Sequence, residues 1–154
     1  MKRPAGLVRI RILQDGLLLC ATEEPNLFVN AGLPALAALL GGDTSGQFAA
    51  AIGFGSGSAA PSVADTALTT PVYYKALDSH AEDGNGSVTL NWSLTTSDTG
   101  ADGITIQELA LFANHAGVGL PGTTAPSPML ARKTISPIVF GTGMSLSGTW
   151  TLIF

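Results

Sequence analysis

Three stretches in the last third of the chain decide the fold: Ile104–Phe112 (I-T-I-Q-E-L-A-L-F), Met129–Lys133 (M-L-A-R-K) and Ser145–Phe154 (S-L-S-G-T-W-T-L-I-F). All three read as β-strands. The last runs to the final residue, so the C-terminus is expected to be tied into a sheet. We expect the three to form one sheet, the body of the domain, with everything before them supplying the opposing layer and a rim. In the third, Leu146, Trp150, Leu152 and Phe154 share a face. In the first, alternation places Ile104, Ile106, Glu108, Ala110 and Phe112 on one face. A glutamate there is buried, which is costly unless it is paired or hydrogen-bonded. Arg132 is the natural partner, because its planar fork takes a carboxylate with two parallel bonds. Glu108 and Arg132 are therefore expected to form a structural ion pair, within one chain or between two copies.

Working back to the N-terminus, Leu7–Leu13 alternates, with Val8, Ile10 and Ile12 opposite Arg9 and Arg11. Asp15-Gly16 suits a tight type I′ turn, and Leu17–Ala21 returns as the second arm of a hairpin. Glu23-Glu24-Pro25-Asn26 is expected to break that strand. Asn30 looks like the N-cap of a helix over Ala31–Leu40, with Gly41-Gly42 as its stop. Leu33, Leu36, Ala37 and Leu40 form its apolar stripe, expected to pack on the sheet. Ala49–Phe54, Val72–Leu77 and Ser87–Leu94 read as further strands, the last with Val88, Leu90, Trp92 and Leu94 on one face. Asp65 is a turn or cap acceptor, and His80–Gly86 and Thr95–Gly103 are polar loops. The loop Ala113–Pro128 is long for a compact domain and suits an interaction. Met129–Ile135 is expected to end or bend at Ser136-Pro137. Short strands, one helix and a turn signal roughly every ten residues define a mainly β fold: an antiparallel β-sandwich or barrel-like domain with one short helix, spanning 1–154 as a single domain.

Composition narrows the function. Of 154 residues 45% are hydrophobic and only 12% charged, about half the charged share usual in a soluble domain. Few charges remain to solvate the outside, so a partner is expected to cover some apolar surface. The net charge of −4 speaks against a nucleic-acid surface. No apolar run approaches the length of a membrane helix, and Met1–Pro4 leads into no secretory core, so no membrane insertion is expected. The single cysteine, Cys20, is expected as a small buried apolar residue.

No set of residues converges on chemistry. His80 and His115 lie in separate loops without ligand spacing, and no metal or cofactor site is expected. Gly53, Gly55 and Gly57 suggest a phosphate cradle, but no Lys-Ser/Thr pair follows them. Close backbone approach or a bulge explains them better. No nucleophile elbow and no carboxylates in distinct environments are found, so no catalytic residue is assigned. Arg9 and Arg11 on one strand face, with Pro121, Pro126 and Pro128 in the long loop, are the candidate interface residues.

Taken together, P-N-L-F-V-N-A-G-L-P-A-L-A-A-L-L-G (Pro25–Gly41), I-G-F-G-S-G-S-A-A-P-S-V-A-D-T-A-L (Ile52–Leu68), I-Q-E-L-A-L-F (Ile106–Phe112), M-L-A-R (Met129–Arg132) and W-T-L-I-F (Trp150–Phe154) resemble small tailed-bacteriophage virion proteins. They are similar to the attachment domains of tail-collar and tail-fibre proteins. The likeness covers most of the chain, in the same order. It departs at Ala110-Leu111-Phe112, where the family has glycine-leucine-phenylalanine, and in the longer, proline-rich loop before Met129. The family's glutamate and arginine fall on Glu108 and Arg132. The resemblance implies a non-enzymatic, homo-oligomeric virion component, with a trimer favoured. It would be assembled in the bacterial host cytoplasm, docked on other virion proteins, and within reach of the host surface. A tail, baseplate or fibre role leads, a head decoration or head-fibre role is the alternative, and a carbohydrate-binding module with an exposed tryptophan platform is the remote one.

Overall fold

A computed structural model describes residues 4–98 and 103–154; residues 1–3 of the basic N-terminus and 99–102 of the Thr95–Gly103 stretch lie outside them. Two five-stranded antiparallel sheets pack as a sandwich. The strands are β1 (Ala5–Gln14), β2 (Leu17–Pro25), β3 (Leu27–Phe28), β4 (Ala49–Gly55), β5 (Pro71–Ala76), β6 (Ser79–Glu82), β7 (Ser87–Thr95), β8 (Ile104–Ala113), β9 (Met129–Phe140) and β10 (Met144–Ile153). The first sheet runs β2-β1-β10-β7-β6 and the second β3-β9-β8-β4-β5.

This order corrects the expectation of one C-terminal sheet. β8 and β9 pair in the second sheet, but β10 crosses to the centre of the first, between β1 and β7. Gly143, at φ +79°, lies in the short crossover, a backbone conformation that glycine adopts without a Cβ penalty. β1 and β10 thus lie side by side inside the first sheet and pair along their whole length.

The N-terminal hairpin turns at Asp15 (φ 49°) and Gly16 (φ 81°), the two left-handed residues a type I′ turn requires. β2 does not break at Glu23 but continues to Pro25. Two ion pairs hold that half: Arg9 with Glu23 beside it, and Lys133 of the other sheet with Glu24 at 2.6 Å. Pro25 can end the strand without loss because β2 is an edge.

Asn30 is not a helix N-cap. Asn30–Gly32 is a 3₁₀ turn that leads into α1 (Leu33–Leu40), together one 11-residue helix, and no side chain caps either start. The Asn30 N–H instead donates to the Val63 carbonyl at 2.8 Å. The helix is also rotated from its expected stripe: Ala35 is buried, whereas Ala37 is exposed and Leu40 is 83% exposed. The polar stretch His80–Gly86 begins inside β6, which takes in His80–Glu82, and β9 runs unbroken through Ser136-Pro137. There the β8–β9 register slips between Ile106 and Glu108, so Pro137 sits in a bulge where its missing N–H costs no ladder bond.

The main core lies between the sheets and is centred on Trp92 and Trp150, both essentially inaccessible. Phe54 of the second sheet meets the Trp92 ring edge-on at 5.8 Å and 67°, which ties the two layers together. Gly148 leaves the space that ring fills, since a Cβ there would collide with Trp92 and with the Arg9 carbonyl. Phe154 does not join the face of Leu146, Trp150 and Leu152: it is exposed, as is Cys20 on edge strand β2.

Candidate functional site

The β8 register slip builds the most elaborate polar cluster of the molecule. Ile106 points into the core between the sheets, and so do Leu109, Leu111 and Ala113. Ala110 and Phe112 belong instead to a second apolar layer with Val29, Ala51, Leu68, Tyr74 and Met129. Ile104 and Ile106 therefore do not share a face with Glu108, Ala110 and Phe112, contrary to uniform alternation. That outer layer is overlain by segments 56–70 and 114–128, the second joined to Tyr74 by paired backbone bonds with Gly122 at 2.9 Å. Tyr74 and Phe112 meet edge-to-face at 5.5 Å.

Glu108 lies fully buried under segment 56–70. Its Oε1 accepts the amides of Thr70 at 2.7 Å and Gly57 at 3.1 Å. Its Oε2 accepts the Thr69 amide at 3.0 Å and both Nη2 (2.7 Å) and Nε (3.1 Å) of Arg132. The arginine thus directs two donors at one carboxylate oxygen, not one at each, because the other oxygen is taken by the main chain. Nη1 reaches Asp65 Oδ2 at 2.7 Å, and Nη2 is shared further with Thr69 Oγ1 at 2.7 Å and the Ala59 carbonyl at 3.1 Å. Asp65 Oδ2 also accepts the Ser62 amide at 2.8 Å. Gly55 and Gly57 permit this approach, since a Cβ on either would sit 2.6 or 2.5 Å from Glu108 Oε1. Asp65, expected only as a turn acceptor, is the second anion of the cluster. An Asp-Thr pair shortly after the glycines was the available signal, too common to recognise without the fold.

The electrostatics follow from this geometry. Burial raises the Glu108 carboxyl, but the Thr70 and Thr69 amides and the Arg132 guanidinium outweigh it and hold the group below the usual range. At Asp65 burial is likewise outweighed, by the Ser62 amide and Arg132. The same two carboxylates push the Arg132 guanidinium up against the effect of its burial. Both folded carboxyl pKa values lie below their unfolded ones. Their stabilisation is therefore complete above about pH 4–5, where the unfolded acids ionise, and is lost as pH falls through the lower folded values. An acid titration followed by circular dichroism should show stability falling below about pH 4, and Glu108→Gln should flatten that slope.

The other predicted residues are scattered. Arg9 and Arg11 are exposed on the outer face of the first sheet, and Pro121 is exposed in the loop over the outer face of the second. These are opposite sides of the sandwich, so they form no single interface. Pro126 is buried and Pro128 half-buried, which removes Pro126 from the exposed candidates because it packs within the chain. His115 Nδ1 lies 2.8 Å from both Gln47 Nε2 and the Ser45 carbonyl, while His80 sits on β6. Among the described residues no group of three or more His, Cys, Asp or Glu side chains could hold a metal ion. Among the described residues no helix is long and apolar enough to cross a membrane. An open apolar groove of about 800 Å³ lies at one end of the sandwich, lined by Phe28, Leu36, Leu39, Val88 and Leu152 with Phe48 at its mouth.

Fold and site together define a two-sheet β-sandwich whose outer loop is anchored by a buried acid–arginine–acid cluster. Both oxygens of Glu108 and all three guanidinium nitrogens of Arg132 are engaged within the chain, an arrangement suited to holding structure. No family model, curated protein or solved structure matches this chain.

Proposed function

We propose that the protein is a homo-oligomeric structural component of a tailed-bacteriophage particle, most closely comparable to a tail, baseplate or fibre attachment protein. The observation that carries the reading is the amount of large apolar surface left in the open. Leu17, Leu18, Leu19, Leu40, Phe48, Val139 and Phe154 are all exposed on a chain with only 12% charged residues. Such surface calls for protein neighbours, and a virion supplies them in a symmetric array. The resemblance of its ordered motifs to phage attachment domains supports the same reading. The rival carbohydrate platform needs an exposed tryptophan, and Trp92 and Trp150 are both buried.

The test is the copy number of this chain relative to the major capsid protein, by quantitative mass spectrometry of purified particles from the phage that encodes it. A small fraction of the capsid copy number is the expected result. Near-stoichiometric copies would replace the tail assignment by capsid decoration, and absence from the particle would overturn the reading.

A further inference from the structure

The apolar groove at the end of the sandwich opens onto the core itself: Phe28, Leu90, Leu130 and Leu152 belong to the inter-sheet cluster and line it. Phe48 and Phe154 stand at its rim, 54% and 62% exposed. Along one side runs β6, an edge strand of the first sheet, whose partner is β7. Among the described residues the main chain of Ser79–Glu82 makes no bond outside that ladder, so one row of its N–H and C=O groups is free to pair. Residues opposite each other in a ladder turn to the same face. His80 and Glu82 therefore point inward with Leu90 and Val88, and both border the groove. Neither side chain has a hydrogen bond or ion pair among the described residues.

We propose that β6 and the groove take an extended segment of a different protein, apolar at alternate positions and carrying one lysine or arginine. Strand addition to the free edge supplies main-chain bonds, and alternate side chains of the added strand turn into the groove. Charge selects among such segments. A charge pointing inward on an edge strand ordinarily keeps other strands away, because pairing would bury it without a partner. Glu82 is that charge, and a cation level with it in the added strand removes the penalty. The residues two places before and after the cation share its face and meet the apolar walls. The same charge argues against the described surface of a second copy. Arg9, Lys75, Arg132 and Lys133 already hold carboxylates of their own chain. Arg11, the one cation left among the described residues, lies inside β1, which β2 and β10 flank on both sides and which has no free edge to add. A small cationic ligand fits less well, because ligand sites enclose most of their occupant and this groove is open. The site rests on the β6 edge and the groove, and stands whether or not the protein belongs to a virion.

Fluorescence anisotropy of the full chain with a short fluorescein-labelled peptide, alternating leucine or valine with threonine around a central lysine, tests it. Saturable binding is expected, and a glutamate in place of the lysine should weaken it at least about tenfold. Glu82→Lys should reverse that preference, which a change in packing alone would not do. Glu82→Gln serves if the charge reversal fails to fold, and should abolish the preference. Phe48→Ala should weaken binding of the lysine peptide, whereas Leu18→Lys, on the exposed leucines of β2, should leave it unchanged. Methylating the peptide's amide nitrogens on the edge that faces β6 should abolish binding, as main-chain pairing requires. Equal affinity for the two peptides, no binding of either, a preference that both Glu82 variants leave unaltered, or binding lost with Leu18→Lys would overturn the proposal. So would self-association of the parent chain that Glu82→Lys disrupts, since the occupant would then be a second copy.

Discussion

Glu108→Ala is expected to destabilise the fold by about 3–5 kcal/mol, the cost of removing one member of a buried ion pair. Arg132 stays in place at 2% exposure and keeps Asp65, itself partly open to solvent, as its remaining anion. The amides of Gly57, Thr69 and Thr70 lose their acceptor at the same time. This distinguishes the cluster from an isolated pair. Replacing both members of a simple buried pair by apolar residues is often neutral. Here Glu108→Leu with Arg132→Met should remain destabilised, because stranded amides cost about 1–3 kcal/mol each where water cannot reach them. Urea titrations of the two single variants and the double give the coupling. A loss under about 1 kcal/mol for Glu108→Ala would mean that segment 56–70 is held by Leu68 and its apolar neighbours, with the carboxylate incidental.

Trp92→Ala is expected to cost about 3–5 kcal/mol through a different mechanism, a cavity. The indole packs against Phe54 of the opposite sheet and over Gly148 of the neighbouring strand, and both positions are shaped to it. Its Nε1 has no hydrogen-bond partner among the described residues, so the loss is one of packing. The urea midpoint should fall and the near-ultraviolet circular dichroism of the aromatic core should weaken. Gly148 sits directly opposite Trp92 in the ladder and lets the ring lie flat across β10. A Trp92→Ala chain as stable as the parent would show that the two sheets cohere without this bridge, and would move the centre of the core to Trp150.

The contrast between these two sites explains how much could be read from the residues alone. Trp92 was legible because β7 alternates without interruption: Leu90, Trp92 and Leu94 all turn inward, as period two requires. The same rule worked for Val8 and Ile10 in β1. It failed in β8, where the slip opposite Ser136-Pro137 lies on another strand and leaves no mark in Ile104–Phe112 itself. Glu108 and Arg132 could be paired by chemistry, since a buried carboxylate needs a cation. The amides of segment 56–70 could not be assigned to Glu108, because any main-chain N–H is an equal candidate until the chain is folded. The helix stripe failed for a related reason: Leu, Ala and Pro surround α1 almost evenly, so its pattern does not select the face that docks.

Local chemistry therefore specified the β class, the Asp15-Gly16 turn, the inward tryptophans and the need of Glu108 for a cation, because each depends on neighbours within a few residues. The assignment of β10 to the opposite sheet, the burial of Pro126 and the exposure of Cys20 and Phe154 depended on which strands meet across the sandwich. Strand pairing joins residues more than a hundred positions apart, such as Ala5 and Ile153. A period-two pattern states which side chains turn the same way along one strand, but it carries no information about the strand that will lie beside it.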